Sequence, residues 1–122
     1  MDELIRAAKT LSDPARVRVL NLLMQRECCV CEVMAVLDIS QVNAPRYCSA
    51  LKDAGFLKMR REGRWKHYRV DHEACTPVLR DMLDSVNATA SGDAVLANDI
   101  KRLGNVSRRQ AGCLAPSCVA AG

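Results

Sequence analysis

No stretch of this sequence is long and apolar enough to cross a membrane. The longest run without a charged residue is the thirteen residues Gln110 to Gly122, short of the ~20 apolar residues a spanning helix needs. The N-terminal Met1-Asp2-Glu3-Leu4-Ile5-Arg6 lacks the extended apolar core of a secretory signal. A cytoplasmic protein is therefore expected. A glycine-rich phosphate loop, an internal repeat and a long linker are also missing. There is no Ser/His/Asp set and no pair of carboxylates placed for acid–base work, so an enzyme is not expected. The 122 residues leave room for one domain. A hydrophobic content of 49% with 26% charged residues suits a folded domain and excludes a disordered chain.

What is present is unevenly placed. The net charge is +4, yet the window from Arg46 to Arg69 holds eight basic residues (Arg46, Lys52, Lys58, Arg60, Arg61, Arg64, Lys66, Arg69) against Asp53 and Glu62. That window is +6 and the remainder is −2. A basic block in a slightly acidic chain suggests a polyanionic partner, although a solvated charged face has the same composition. The seven cysteines are Cys28, Cys29, Cys31, Cys48, Cys75, Cys113 and Cys118. An odd number, with three inside four residues and no secretory signal, argues against a disulfide scaffold. In a reducing compartment such thiols bind soft ions or sense redox state.

The apolar periodicity predicts helices. Leu4, Ala8 and Leu11 mark a first helix over 3–11. Asp13-Pro14 supplies a cap and a first-turn proline for a second helix, with Val17, Leu20, Leu23 and Met24 as its buried stripe. A short third helix runs from Cys31 to Leu37, and Asp38-Ile39-Ser40 forms a tight turn. Ser40 then caps a fourth helix from about Gln41 to Ala54, ended by Gly55. The period next changes to two. Phe56–Arg61 and Trp65–Val70, joined by Glu62-Gly63-Arg64, read as a β-hairpin. Thr76-Pro77 opens a fifth helix with Val78, Leu79, Met82, Leu83 and Val86 apolar, and 94–103 forms a further helical segment. Residues 1–105 thus make one folded domain, and 106–122 a flexible, cysteine-containing C-terminal tail.

Two short helices across a tight turn, followed by a basic hairpin, is the order of a winged helix-turn-helix, a mainly α fold with a β-hairpin wing (α+β). The second helix of such a pair enters the major groove, and the wing grips phosphates. Ser40, Gln41, Asn43, Arg46 and Tyr47 fall on the first turns of that helix. Gln and Asn pair with adenine edges, and Arg with guanine edges or phosphate. Lys52, Arg60, Arg61, Arg64 and Lys66 supply sequence-independent phosphate contacts.

With these elements in order, the chain resembles the ArsR/SmtB family of metal-sensing bacterial repressors over residues 4–103, within its arsenic-responsive branch. Leu11-Ser12-Asp13-Pro14-Ala15-Arg16 matches the family's entry to the second helix. Cys29-Val30-Cys31-Glu32 matches its metal box, Ser40-Gln41 with Arg46-Tyr47 its recognition helix, and Arg61 to Arg69 its wing. Four motifs in the right order carry the resemblance. Two positions depart from it: Met34 stands where the arsenic branch has a third cysteine, and Pro45 where the family has serine. The resemblance implies a homodimer built from the first and fifth helices, with Leu4, Leu79, Met82, Leu83 and Val86 at the interface. It implies an inverted-repeat operator DNA as partner, and control of arsenic-resistance genes.

The inducer expected for such a cluster is As(III) or Sb(III), which prefers three thiolates. Cd(II), Pb(II) or Zn(II), and a thiol-redox signal on the same scaffold, are the alternatives. Cys28, Cys29 and Cys31 are the expected ligands, with Cys113 and Cys118 as reserves for the third position. A helix N-terminus at this point is expected to favour the thiolate form. On a regular helix Cys29 and Cys31 would point roughly 200° apart, so ion binding is expected to unwind the first turn of the third helix. Cys48 reads as core, Cys75 as structural, His67 as a phosphate or packing residue of the wing, and His72 as surface.

Overall fold

A computed structural model describes residues 1–106. Six helices and three strands follow one another as α1 (Asp2–Thr10), α2 (Pro14–Gln25), β1 (Cys28–Cys29), α3 (Val30–Leu37), α4 (Asn43–Asp53), β2 (Leu57–Glu62), β3 (Trp65–Val70), α5 (Pro77–Ala90) and α6 (Ala94–Gly104). Local chemistry sets most of these boundaries. The Asp13 carboxylate accepts from Ala15 N–H at 2.8 Å and Asp93 accepts from Val95 N–H at 2.9 Å, each satisfying an orphan donor of a first turn. Thr76 caps α5 in the same way. Gly55 follows α4 at φ +97, a left-handed conformation that side chains resist.

The core forms where α2, α3, α4 and the sheet meet, around Leu20, Leu22, Val33, Val36, Leu51 and Phe56, all fully buried. The strand order is β1-β3-β2, antiparallel throughout. The hairpin β2–β3 turns at Gly63, whose φ of +65 suits a two-residue loop. β1 was not visible in the sequence pattern, because two residues are too few to show a period. It pairs Cys28 with Tyr68 and Cys29 with His67, so the cysteine cluster is joined by backbone to the hairpin.

Three expectations need correction. First, α4 begins at Asn43, two residues later than the spacing predicts. Pro45 has no N–H to give the Gln41 carbonyl, so it sits in the first turn, where none is required, and α4 runs through to Asp53. The Ser40 hydroxyl still accepts from Asn43 N–H at 3.0 Å, as the expected cap. Second, three of the residues expected at the dimer interface, Leu79, Leu83 and Val86, are buried within this chain. They are 2%, 5% and 6% exposed, because α5 lays that side on α1, α2 and α6 of its own chain. Of the expected interface residues, only Leu4 is exposed and Met82 half-buried. Third, the Cys29 backbone is extended (φ −79, ψ 161), so no helical turn separates its side chain from that of Cys31. Cys113 and Cys118 lie outside the described residues, as does the tail from residue 107.

Candidate DNA-binding and thiol site

The two surfaces expected to face DNA are both open. Ser40, Gln41, Asn43 and Arg46 are exposed at the start of α4, and Tyr47 is half-buried. Asp38 closes α3 in the left-handed conformation (φ 57, ψ 43), which Asp tolerates better than most residues. That cap turns the chain from α3 into α4. Lys52, Arg61 and Arg64 are exposed, and Lys66 is half-buried. Arg64 stands in the wing loop, and Arg61 faces Lys66 across the hairpin.

Arg60 is placed differently. Its Nε lies 2.6 Å from Glu27 Oε1 and its Nη1 lies 3.2 Å from Glu62 Oε2. Those two carboxylates claim a guanidinium expected to hold phosphate. His67 pairs with Arg60 across β2 and β3 and is 2% exposed. Its ring nitrogens lie 3.7 Å from Glu27 Oε1 and 3.4 Å from Glu62 Oε2, and Trp65 meets it edge-on with ring centroids 5.9 Å apart. His67 is therefore a packing residue of the wing and not a surface contact. Of the two roles the sequence left open for His67, phosphate contact or packing, its burial selects packing.

At the other edge of the sheet the thiols gather. Cys29 is the N-cap of α3, and a reciprocal capping box joins it to Glu32. The Cys29 sulfur accepts from the Glu32 backbone N–H, and Glu32 Oε1 accepts from Cys29 N–H at 3.1 Å. Glu32 is buried, and its second oxygen lies 2.7 Å from Arg26 Nη1. The sulfurs of Cys29 and Cys31 are 2.7 Å apart. Cys31 is disulfide-bonded in this structure.

Cys28 points the other way. Neighbouring residues of a strand face opposite sides, and Cys28 packs in the core cluster with Tyr68. Its sulfur lies 3.7 Å from Arg26 Nη1. Burial, then the nearby Glu32 carboxylate, pushes the Cys28 thiol up to about 12. Burial likewise raises Cys29 to about 11, against the lowering effect of the Glu32 backbone N–H. The expectation that the helix N-terminus would yield a ready thiolate is thus reversed: desolvation outweighs the aligned N–H groups. Cys48 is fully buried and raised to about 12 by burial alone, and Cys75 is buried beside the Gly55 carbonyl. Met34, in place of a third cysteine, packs half-buried against the core. Among the described residues no three His, Cys, Asp or Glu side chains already converge as a metal site.

Comparison with known proteins places this geometry. Residues 13–58 match the family described as bacterial regulatory protein, arsR family. The chain is 34% identical over 91 residues to an arsenic resistance transcriptional regulator of Pseudomonas putida, covering 71% of each chain. It is 36% identical over 66 residues to a homologue of the cadmium resistance regulatory protein CadC of Staphylococcus aureus, covering 53% of this chain and 54% of the relative. The structure is similar to the homodimeric winged helix-turn-helix DNA-binding domain of a possible ArsR-family regulator from Mycobacterium bovis. The TM-score is 0.62 at 27% identity, over 76% of this chain and 82% of that one.

Proposed function

This chain belongs to the arsR family of bacterial regulatory proteins, a transcriptional regulator and not an enzyme, and on that premise we propose that it is a cytoplasmic, homodimeric repressor of arsenic-resistance genes. It holds an inverted-repeat operator through α4 and the wing, and releases it when Cys28, Cys29 and Cys31 take As(III) or Sb(III). The observation that supports the inducer site is the 2.7 Å separation of the Cys29 and Cys31 sulfurs, at the end of a strand paired with the wing. The dimer contact uses α1 and α5, through the exposed Leu4 and Ile5 and the half-buried Met82.

The geometry suggests how induction proceeds. Two sulfurs already meet, so no helical turn has to unwind. Cys28 is the thiol out of place. Bringing it to the side of Cys29 requires β1 to rotate out of its pairing with Tyr68 and His67. The wing loses an edge partner in each protomer, and the paired fit to two half-sites fails. Ligation through Cys31 requires its disulfide to be reduced.

The decisive experiment is titration of As(III), Sb(III), Cd(II), Pb(II) and Zn(II), each in excess reductant, against release of a bound operator duplex. Release at the lowest concentration by As(III) or Sb(III) supports the reading. Release by Cd(II) instead favours the class named by the Staphylococcus aureus relative, and release by Pb(II) or Zn(II) likewise overturns As(III) and Sb(III) as the inducers. A second reading rests on the oxidised Cys31: a repressor whose operator affinity follows the thiol redox state. It requires that reductant alone, with no ion, changes affinity.

A further inference from the structure

Val42 leaves a branched apolar side chain open to solvent at the entry of α4. It is 67% exposed, the only large exposed apolar side chain on α3, α4 or the turn between them among the described residues. The others cluster on α1 (Met1, Leu4, Ile5) or start α6 (Val95). The Val42 backbone is already helical (φ −78, ψ −43) and its side chain makes no cap. The Ser40 hydroxyl caps this end of the helix, accepting from Asn43 N–H. Folding therefore asks nothing of the Val42 side chain. Departures from local rules without structural gain concentrate at functional positions.

Its neighbours say what it meets. Gln41 and Asn43, both exposed, flank it at the entry of the helix that reads DNA. The major groove carries one apolar feature, the C5-methyl of thymine, and it stands beside the adenine edges that Gln and Asn recognise. We propose that Val42 is a specificity-determining residue that packs on a thymine methyl next to the adenine read by Gln41 or Asn43. Each half-site then carries consecutive A·T pairs at the centre of the contact. This rests on the DNA-binding reading above.

The test uses the full-length reduced protein and a duplex enriched by it from a randomised pool. Each thymine is replaced singly by deoxyuridine, which removes only the methyl, and binding is measured for wild type and Val42→Ala. One thymine per half-site should cost the wild type about fourfold when demethylated, the equivalent of one buried methyl group. Val42→Ala should lose at least as much on the parent duplex, and should lose nothing further at that thymine. Its thermal midpoint should not fall, because the side chain is unpacked. Equal binding of the enriched duplex by V42A and wild type overturns the contact. So does a V42A loss with every deoxyuridine penalty still in place. A wild-type protein that enriches no sequence at all overturns the DNA-binding reading itself, and this proposal with it.

Discussion

Cys29 pairs with His67 across β1 and β3, so the thiol cluster and the wing belong to one sheet. The strand that would carry the inducer is hydrogen-bonded to the strand that would grip DNA. An ion bound there would reach the wing without passing through α4.

The first prediction follows from that link. Cys29→Ser and Cys31→Ser should keep operator affinity within about twofold and lose release by As(III), while Cys28→Ala should retain only a weak, two-thiolate response. Fluorescence anisotropy of a labelled operator, with and without As(III), measures all three. Truncation after residue 106 separates the remaining candidates. If it abolishes release and Cys28→Ala does not, the third thiolate is Cys113 or Cys118, and the strand-rotation route is wrong.

The wing arginines should not be equivalent. Arg64 is exposed in the loop, whereas Arg60 is held by Glu27 and Glu62. Arg64→Ala should reduce the slope of log affinity against log salt by about 1, the loss of one phosphate contact. Arg60→Ala should change it by much less. Matching slopes for the two variants would show that Arg60 leaves its carboxylates on binding.

The ion pair between α2 and α6 is a stability determinant. Arg18 Nε and Nη2 donate to the two Asp99 oxygens at 2.8 and 3.0 Å, and Asp99 is 1% exposed. Arg18→Ala strands a buried carboxylate and should cost about 3 kcal/mol in urea unfolding. Arg18→Ala with Asp99→Ala should recover part of that loss, since the stranded charge is gone. A single variant as stable as wild type would mean that α6 is held by its apolar contacts alone.

Gly55 is not replaceable. At φ +97, an added Cβ would also lie 3.0 Å from Leu79 Cδ1. Gly55→Ala should destabilise by about 1–2 kcal/mol through backbone strain alone, with a further increment if Leu79 cannot shift. Thermal unfolding checks it, and a neutral result would require that the chain relax locally to negative φ.

Stability should fall in alkali through the buried thiols. Burial raises Cys28 and Cys48 from the ordinary 9.0 to about 12, and Cys29 to about 11. Above pH 9 the unfolded chain releases these protons while the folded chain keeps them. More protons bound in the folded state means that stability decreases as pH rises. Their contribution is complete below pH 9 and is lost towards pH 12. Cys48→Ala should flatten that dependence by up to about 1.4 kcal/mol per pH unit. Urea unfolding in reductant at pH 8, 9 and 10 gives the slopes to compare.

The sequence by itself determined the elements whose chemistry is local. Asp13, Thr76 and Asp93 cap helices through donors two or three residues away. Gly63 turns the hairpin between two strand-forming runs, and the motifs around Cys29, Gln41 and Trp65 carried the family. Only the tertiary structure decided what depends on residues far apart along the chain. β1 exists because β3 offers it an edge, and two residues carry no period to betray it. Pairing with β3 turns Cys28 towards the core and away from Cys29. Glu27 reaches Arg60 only once the sheet has formed, which withdraws that arginine from the phosphate-binding set. The apolar stripe of α5 could equally have faced a second copy or its own core. Packing chose the core for Leu79, Leu83 and Val86, because α1, α2 and α6 supply apolar surface to cover them within one chain.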